Sequence, residues 1–396
     1  MNRWASVRLA DIAAQGQYGL NAAAMKEGQG IRFIRITDID EQSELRKDGA
    51  AYVPSSTENL TAYYLEAGDL LIARSGATAG KSLLFKGLEE PAVFAGYLIR
   101  FKLDTSVALP DYVGYFFKSN IYWNYINTTK RAAAQPNINA KELASLPISL
   151  PSLSEQRRIV DLLSRAEGIV RLRREAEKKA AELIPALFLD MFGDPATNPK
   201  GWAEQRLGDI AEVVSGVTKG RKFGDKKTVE VPYLRVANVQ AGHINLTEVK
   251  TIEVLPQEVI QLTLQHGDVV LTEGGDFDKL GRGALWEHDI PNCIHQNHVF
   301  RVRLNKAVAR PEFFVTYLQA GKAREYFLRC AKRTTNLASI NMTQLRGLPV
   351  VLPALNTQQG FVDRFSEARS IQTQQSAATA KAQATFDALL ATVFSN

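Results

Sequence analysis

The sequence predicts an α+β protein: two tandem mixed α/β domains related by pseudo-two-fold duplication, separated by two long antiparallel coiled-coil-like helices. Three observations predict it. The chain is written twice, each copy passes from period-2 strand patterns into helical ones, and each closes on a long segment whose apolar residues step by threes and fours.

The duplication comes first, because a missed repeat mis-assigns the whole fold. "INAKELASLPISLPSLSEQRRIVDLLSRAEG" (138–168) aligns with "INMTQLRGLPVVLPALNTQQGFVDRFSEARS" (340–370) at a constant offset of 202, pairing Ile138 with Ile340, Asn139 with Asn341, Gln156 with Gln358 and Asp161 with Asp363. "VRLADIA" (7–13) repeats as "QRLGDIA" (205–211), "RFIRITDID" (32–40) as "PYLRVANVQ" (232–240), and "EAGDLLIAR" (66–74) as "QHGDVVLTE" (265–273). So long a period is a duplicated domain, not a solenoid of short repeats.

Within a copy, segments such as "GIRFIRITDI" and "GDLLIAR" alternate like half-buried strands and are punctuated by Gly, Asn and Asp. Pro110-Asp111 and Pro311-Glu312 open a helical part, since proline lacks only an N–H that the first turn leaves unpaired. "LPISLP" and "LPVVLP" read as extended. A helix over about 154–191 comes next in the first copy, capped by Ser152-Leu153-Ser154-Glu155, kinked by Pro185 and stopped at Gly193-Asp194-Pro195. Its predicted seam is Ile159, Leu162, Ala166, Ile169, Ala176, Ala180, Leu183 and Leu187. The matching seam over 356–394 is Phe361, Phe365, Ala368, Ile371, Ala378, Ala382, Leu389 and Val393. The implied domain boundaries are 1–150, 151–193 (first long helix), 194–352 and 353–396 (second long helix).

Composition narrows the function class. Apolar content of 45% with 23% charged residues suits a chain able to bury real cores. Two cysteines, no signal-peptide pattern at the start and no apolar run of membrane-spanning length lead to the expectation of a reduced, cytoplasmic protein. Net charge is +6, but residues 301–346 carry ten Lys/Arg against only Glu312 and Glu325. Interleaved with Phe313, Phe314, Tyr317, Tyr326 and Phe327, that surplus fits a polyanionic partner such as nucleic acid.

"RSGATAGKSLLF" (74–85) imitates a nucleotide-binding loop, yet three residues rather than four separate Gly76 from Gly80, and the residues after Lys81 read as strand, turn, strand. No helix N-terminus is available for phosphates, so no ATP site is expected. His288, Cys293, His295 and His298 lack ordered zinc spacing, and no metal site is expected. No Asn/Asp-Pro-Pro-aromatic motif or nuclease carboxylate cluster occurs, so no catalytic residues are assigned.

DNA contacts are expected instead. Arg35, Thr37 and Asp38, paralleled by Arg235 and Asn238, end a strand and include base-edge chemistry. Arg74 and Lys81 flank the glycine turn and suit phosphates. Lys219, Arg221, Lys222, Lys226 and Lys227 crowd "TKGRKFGDKK", where the first copy's "GLNAAAMKEGQG" has only Lys26. Lys130-Arg131 and Lys332-Arg333 precede the "IN" landmark of each copy and suit phosphate contact, alongside Gln135 and Asn336.

"GDLLIARSGATAGK", "QPNINAKELASLPISLPSLSEQRRIVDLL" and "ALFLDMF" strongly resemble the specificity subunits of type I restriction–modification systems, and the likeness covers essentially the whole chain. The second copy departs from it at the glycine turn and where Glu155 becomes Thr357. The resemblance implies a non-enzymatic subunit whose domains 1–150 and 194–352 are target-recognition domains, each reading one half of a split double-stranded DNA target. It further implies that the helices at 151–193 and 353–396 set the gap and dock two adenine-N6 methyltransferase subunits, with restriction/translocase subunits joining them. S-adenosylmethionine, Mg and ATP would sit on those partners, with no cofactor bound by this chain and no membrane involved. The alternative is a similar reader serving a different, non-type-I modification or restriction partner.

Overall fold

In each copy the first strand pairs with the last, so that the body is closed before the long helix leaves it. Ala5–Arg8 runs antiparallel to Pro147–Leu150, with Arg8 opposite Pro147, and Ala203–Arg206 runs antiparallel to Pro349–Leu352, with Arg206 opposite Pro349. The computed structural model describes residues 4–394 except 27–29, 47, 131–136, 276–279, 289 and 334–337. It divides into two units, Met1–Glu175 with Ala377–Asn396, and Ala176–Ser376. Each unit therefore holds one body and a part of each long helix.

In the first unit, a four-stranded antiparallel sheet has the order Gln17–Tyr18, Leu98–Phe101, Leu70–Ala73, Ser82–Leu84. A second sheet joins Met25–Lys26, Ala51–Val53, Ile31–Ile34 and Ala92–Phe94, the last pair parallel. Strand Leu70–Ala73 is buried along its whole length because both of its faces are covered. Leu70 and Ile72 turn toward the core shared with helices Pro110–Phe116 and Asn120–Lys130, while Leu71 and Ala73 turn toward the core that holds Ile34 and Phe94 of the second sheet.

The second unit repeats the plan. Ala211–Ser215, Val299–Leu304, Val269–Thr272 and Gly283–Leu285 form the antiparallel sheet, and Ile294–His295 lies parallel to Val229–Leu234, which also pairs with Lys250–Val254. Both copies of the "IN" landmark are helix caps: Asn139 Oδ1 accepts from the Glu142 N–H at 2.9 Å, and Asn341 Oδ1 from the Gln344 N–H at 2.8 Å.

The long helices are Leu153–Ala181, continued after a break by Leu183–Phe192, and Leu355–Phe394. A fully buried glutamine fixes each to its body one turn from its start. Gln156 Oε1 accepts from the Leu109 N–H at 2.8 Å, and its Nε2 donates to the carbonyls of Val107 and Pro151, both at 2.9 Å. Gln358 does the same with the Arg310 N–H at 2.8 Å and the carbonyls of Val308 and Pro353 at 3.1 and 2.8 Å.

The far end of the other helix completes each core. In the first unit Phe394 meets Tyr112 and Phe116 at ring-centroid distances of 5.4 and 5.5 Å, and Phe386 meets Tyr115 at 6.3 Å. In the second unit Phe188 and Phe192 lie 5.5 and 4.9 Å from Phe313, and 5.8 and 5.3 Å from Phe361. The start of one helix and the end of the other thus share a body, so the pair is antiparallel in both units. Each such ring contributes roughly 1.5–3 kcal/mol by burial, and a well-oriented pair adds about 0.5–1.5 kcal/mol.

Three expectations need correction. The first long helix breaks at Glu182, three residues ahead of Pro185, because the proline ring excludes the carbonyl of Ala181 and offers it no N–H. Its seam is shifted: Leu162, Ile169 and Leu183 are exposed, whereas Leu163 and Val170 are buried beside Ile159. The apolar stripe is wide enough for either phase, and contact with the body selects the second. Along Leu355–Phe394, Ile371 is exposed and the buried positions at the far end are Phe386, Leu390 and Phe394.

Replacing Gln156 or Gln358 by Leu leaves one N–H and two carbonyls, one of them buried, without their partner, which costs roughly 1–3 kcal/mol. The thermal unfolding midpoint of either variant is expected to fall by several degrees. A midpoint within about 1 °C of the parent would contradict the clamp.

Candidate nucleic-acid interface

Arg35 leaves strand Ile31–Ile34 and precedes a single 3-10 turn, Ile36–Asp38. Asp38 is buried under that turn. It accepts the Arg35 main-chain N–H at 2.9 Å and the Arg35 guanidinium at 2.8 Å, and lies 3.6 Å from the buried Arg32. Asn238 occupies the same place in the second unit. Its Oδ1 accepts the Arg235 N–H at 2.9 Å, and its Nδ2 donates to the carbonyls of Asn245 and Glu248 at 2.8 and 3.0 Å. Arg235 pairs with Glu248 at 3.0 Å. Asp38 and Asn238 are therefore internal caps with their hydrogen bonds taken, which corrects the expectation that they read base edges. Thr37, one residue before Asp38, is exposed.

The glycine-rich segment is a hairpin turn between the antiparallel strands Leu70–Ala73 and Ser82–Leu84. Gly80 has φ +93°, and a Cβ there would lie 2.5 Å from Ile126. Gly281 has φ +73°, and a Cβ there would lie 2.4 Å from Phe327. These glycines let a helix close onto the turn. Lys81 is next, its Nζ donating to Glu41 at 2.6 Å and to the Ile39 carbonyl at 3.3 Å. Arg282 is its counterpart, since Ala73 donates to the Lys81 carbonyl as Thr272 does to that of Arg282. Arg282 donates to Gln240 at 2.8 Å. Sequence reading missed it, although a glycine followed by a base and a strand recurs in "LGRGAL".

Arg35, Thr37 and Lys81, distant in sequence, line one open concavity of ≈ 780 Å³ together with Asn21, Arg46 and Tyr97. Arg74 lies beside it with its guanidinium 4.8 Å from the ring centre of Tyr18. In the second unit Lys219, Lys222, Lys226 and Lys227 are exposed on the loop between Ala211–Ser215 and Val229–Leu234. Arg221 is not free in the same way. It is clamped bidentately on Glu258 at 2.6 and 2.9 Å over the Phe223 ring, and holds that carboxyl below the usual carboxylate range. Lys332 is exposed in the short strand Lys332–Arg333, paired with Ala338–Ser339. Arg131, Gln135 and Asn336, and the side chains of Lys130 and Arg333, lie outside the described residues.

The basic segment 301–346 also needs correction. Arg301 is buried, donating to the Gln261 carbonyl at 2.9 Å and to Glu212 at 3.0 Å; Arg303 grips Asp268 with two bonds of 2.8 Å. Arg346 donates to the Val213 carbonyl and Lys322 to Glu204. Phe313, Phe314, Tyr317 and Phe327 are core residues. Much of the surplus stabilises the fold, leaving Lys306, Arg324, Arg329 and Lys332 exposed.

His295 is wholly buried, its Nδ1 2.6 Å from the Val299 carbonyl, and burial pushes its pKa down to about 4. Burial likewise pushes the Cys293 thiol up to about 12. A neutral thiol and a buried imidazole are fold residues. Among the described residues no group of three or more His, Cys, Asp or Glu could hold a metal, and no helix is long and apolar enough to cross a membrane.

Comparison with known proteins places this geometry. The specificity subunit of the type I restriction enzyme EcoKI from Escherichia coli K12 is 26% identical over 353 residues, 82% of this chain and 74% of that one. That of MjaVIII from Methanocaldococcus jannaschii is 21% identical over 381 residues, 90% of this chain and 80% of that one. Among solved structures, the S subunit of a type I restriction–modification system from M. genitalium shares the fold with a TM-score of 0.56 at 15% identity, over 100% of this chain and 96% of that one. A chain from a structural study of complex assembly in a type I restriction–modification system gives 0.59 at 17% identity, covering 98% of this chain and 96% of that one. The family model described as the type I restriction modification DNA specificity domain matches twice, over residues 1–182 and 199–380, and this chain belongs to that family.

Proposed function

We propose that this chain reads a split double-stranded DNA target, one half-site per body, and carries no active site of its own. The observation that supports this most directly is one scaffold occurring twice in a single chain, each copy gripping the start of its own long helix and the end of the other. A helix pair held at both ends in this way is suited to act as a spacer, because neither body can slide along it without breaking buried contacts. In this reading the helices set the gap between half-sites. They also dock two adenine-N6 methyltransferase subunits, to which restriction/translocase subunits attach. S-adenosylmethionine, Mg and ATP belong to those partners, and the assembly works in the cytoplasm.

Candidate contacts divide by chemistry. Arg35, Thr37, Arg74 and Lys81 in the first unit, and Arg235 with Arg282 in the second, surround the equivalent strand ends. The exposed lysines of the 216–228 loop, with Lys332, supply sequence-independent attraction to phosphates.

Mapping methylated adenines in cells that hold this chain and its methyltransferase tests the reading. A two-part motif with a fixed gap is expected, and a single unbroken motif would overturn it. Inserting seven helical residues into both long helices, after Glu175 and after Ser376, lengthens the pair by about 10 Å at 1.5 Å per residue. The gap should grow by about 3 base pairs at 3.4 Å each, with the bases of both halves unchanged.

The double substitution Lys222→Ala and Lys226→Ala should weaken binding to all DNA sequences alike. It should also flatten the dependence of log K on log salt by about 0.9 for each phosphate no longer neutralised. An unaltered slope in a salt titration would remove these lysines from the interface.

A further inference from the structure

Two copies of one scaffold that read different bases must agree where they hold the fold and differ where they touch DNA. Superposing their hydrogen bonds, rather than their sequences, shows where the difference falls. Strand Ala92–Phe94 in the first unit and Ile294–His295 in the second each end in a tight turn. The turn is pinned by the same main-chain bonds in both. The Ala95 N–H donates to the Ile34 carbonyl at 2.9 Å, and the Gln296 N–H to that of Leu234 at 2.9 Å. The Gly96 N–H donates to Leu20 at 2.8 Å, and the Asn297 N–H to Val217 at 2.9 Å. At the tip, the carbonyl of Tyr97 accepts from the Arg74 N–H at 2.9 Å, and that of His298 from the Glu273 N–H at 3.0 Å.

Tyr97 and His298 thus hold one structural position. Both side chains project into solvent, Tyr97 at 65% exposure, more than any other Tyr, Phe or Trp among the described residues. A ring so exposed contributes little buried area to the fold, and the backbone beneath it is already ordered when a partner arrives. Tyr97 lines the concavity that also holds Arg35, Thr37 and Lys81.

We infer that Tyr97 and His298 are equivalent base-reading residues of the two units, placed by this shared turn. The inference rests on the split-target reading given above and deepens it by naming specificity-determining side chains. Their chemistry differs as two half-sites require. The Tyr97 phenol stacks and both donates and accepts one hydrogen bond. The His298 ring is oriented by Glu273 on Nδ1, which turns its Nε2 edge toward the polar groups at the edge of a base. The Asn297 amide hydrogen-bonds that Nε2 at 3.4 Å, so the two side chains present one shared polar edge. The neighbours change too: Arg74 stacked on Tyr18 in one unit gives way to Glu273 and Ser215 in the other.

The test uses the full chain with its methyltransferase subunits and maps methylated adenines genome-wide. Tyr97→Ala is expected to relax discrimination about tenfold or more at one or two positions of one half-site, leaving the other half-site and the gap unchanged. His298→Ala should do the same in the other half-site only. Tyr97→Gln and His298→Gln, which keep a polar side chain of similar reach, must move the same positions and guard against a folding artefact. An unchanged motif in the Ala and Gln variants overturns the inference, as does an equal fall in methylation across both half-sites. If the parent protein itself yields an unbroken motif, the split-target reading fails instead, so the two failures are distinguishable.

Discussion

The structure depends on a buried amide. Gln156 and Gln358 are fully buried side chains that join each long helix to its body, and each satisfies one N–H and two carbonyls. Amide geometry matters here because it supplies both an acceptor and a donor in one plane. A carboxylate would repel the two carbonyls, and a hydrocarbon would satisfy none of the three groups. The N–H that each glutamine receives belongs to the residue just before the Pro-opened helix, so the clamp also sets where that helix starts. With the angle of departure fixed by hydrogen bonds, the aromatic cluster at the other helix's end can pack in one register.

That division of labour explains why so much of the fold was legible. Duplication, strand alternation, proline-opened helices and helix ends are written in local spacing, and local spacing survives into the structure. The phase of the long-helix seam was not legible. Val160, Leu162, Leu163, Ala166, Ile169 and Val170 make an apolar arc too broad for periodicity alone to orient, and only contact with the body decides that Leu163 and Val170 turn inward. The helix break was foreseen at Pro185 but falls at Glu182, because the damage a proline does lies a turn upstream of its ring.

The candidate site was less legible than the fold, for a physical reason. Charge and hydrogen-bonding capacity serve caps and buried ion pairs as readily as they serve DNA, and sequence does not show burial. Asp38, Asn238, Arg301 and Arg303 have base-reading or phosphate-binding chemistry, yet each is consumed inside the fold. The lysines of the 216–228 loop and Thr37 stand exposed, because a loop tip has few internal partners to offer them. Arg282 was missed because the Gly-Lys-Ser run is not repeated in the second copy, although the main-chain bond to the Lys81 carbonyl is, at Arg282.

Equivalence by hydrogen bond is therefore a sharper guide to a recognition surface than equivalence by residue. Gly19 and Gly216 make the point. A Cβ at Gly19 would lie 2.5 Å from the Phe94 carbonyl oxygen, and one at Gly216 would lie 1.8 Å from that of His295, so both copies need glycine for the same backbone approach. One residue later Leu20 and Val217 receive the bonds that hold the exposed turn, and at its tip the two copies part company as Tyr97 and His298. Backbone packing constrains the first kind of position far more than the second. A chain that keeps these glycines and the glutamine clamps in duplicate while the exposed turn tip changes from Tyr97 to His298 holds two different surfaces in one frame.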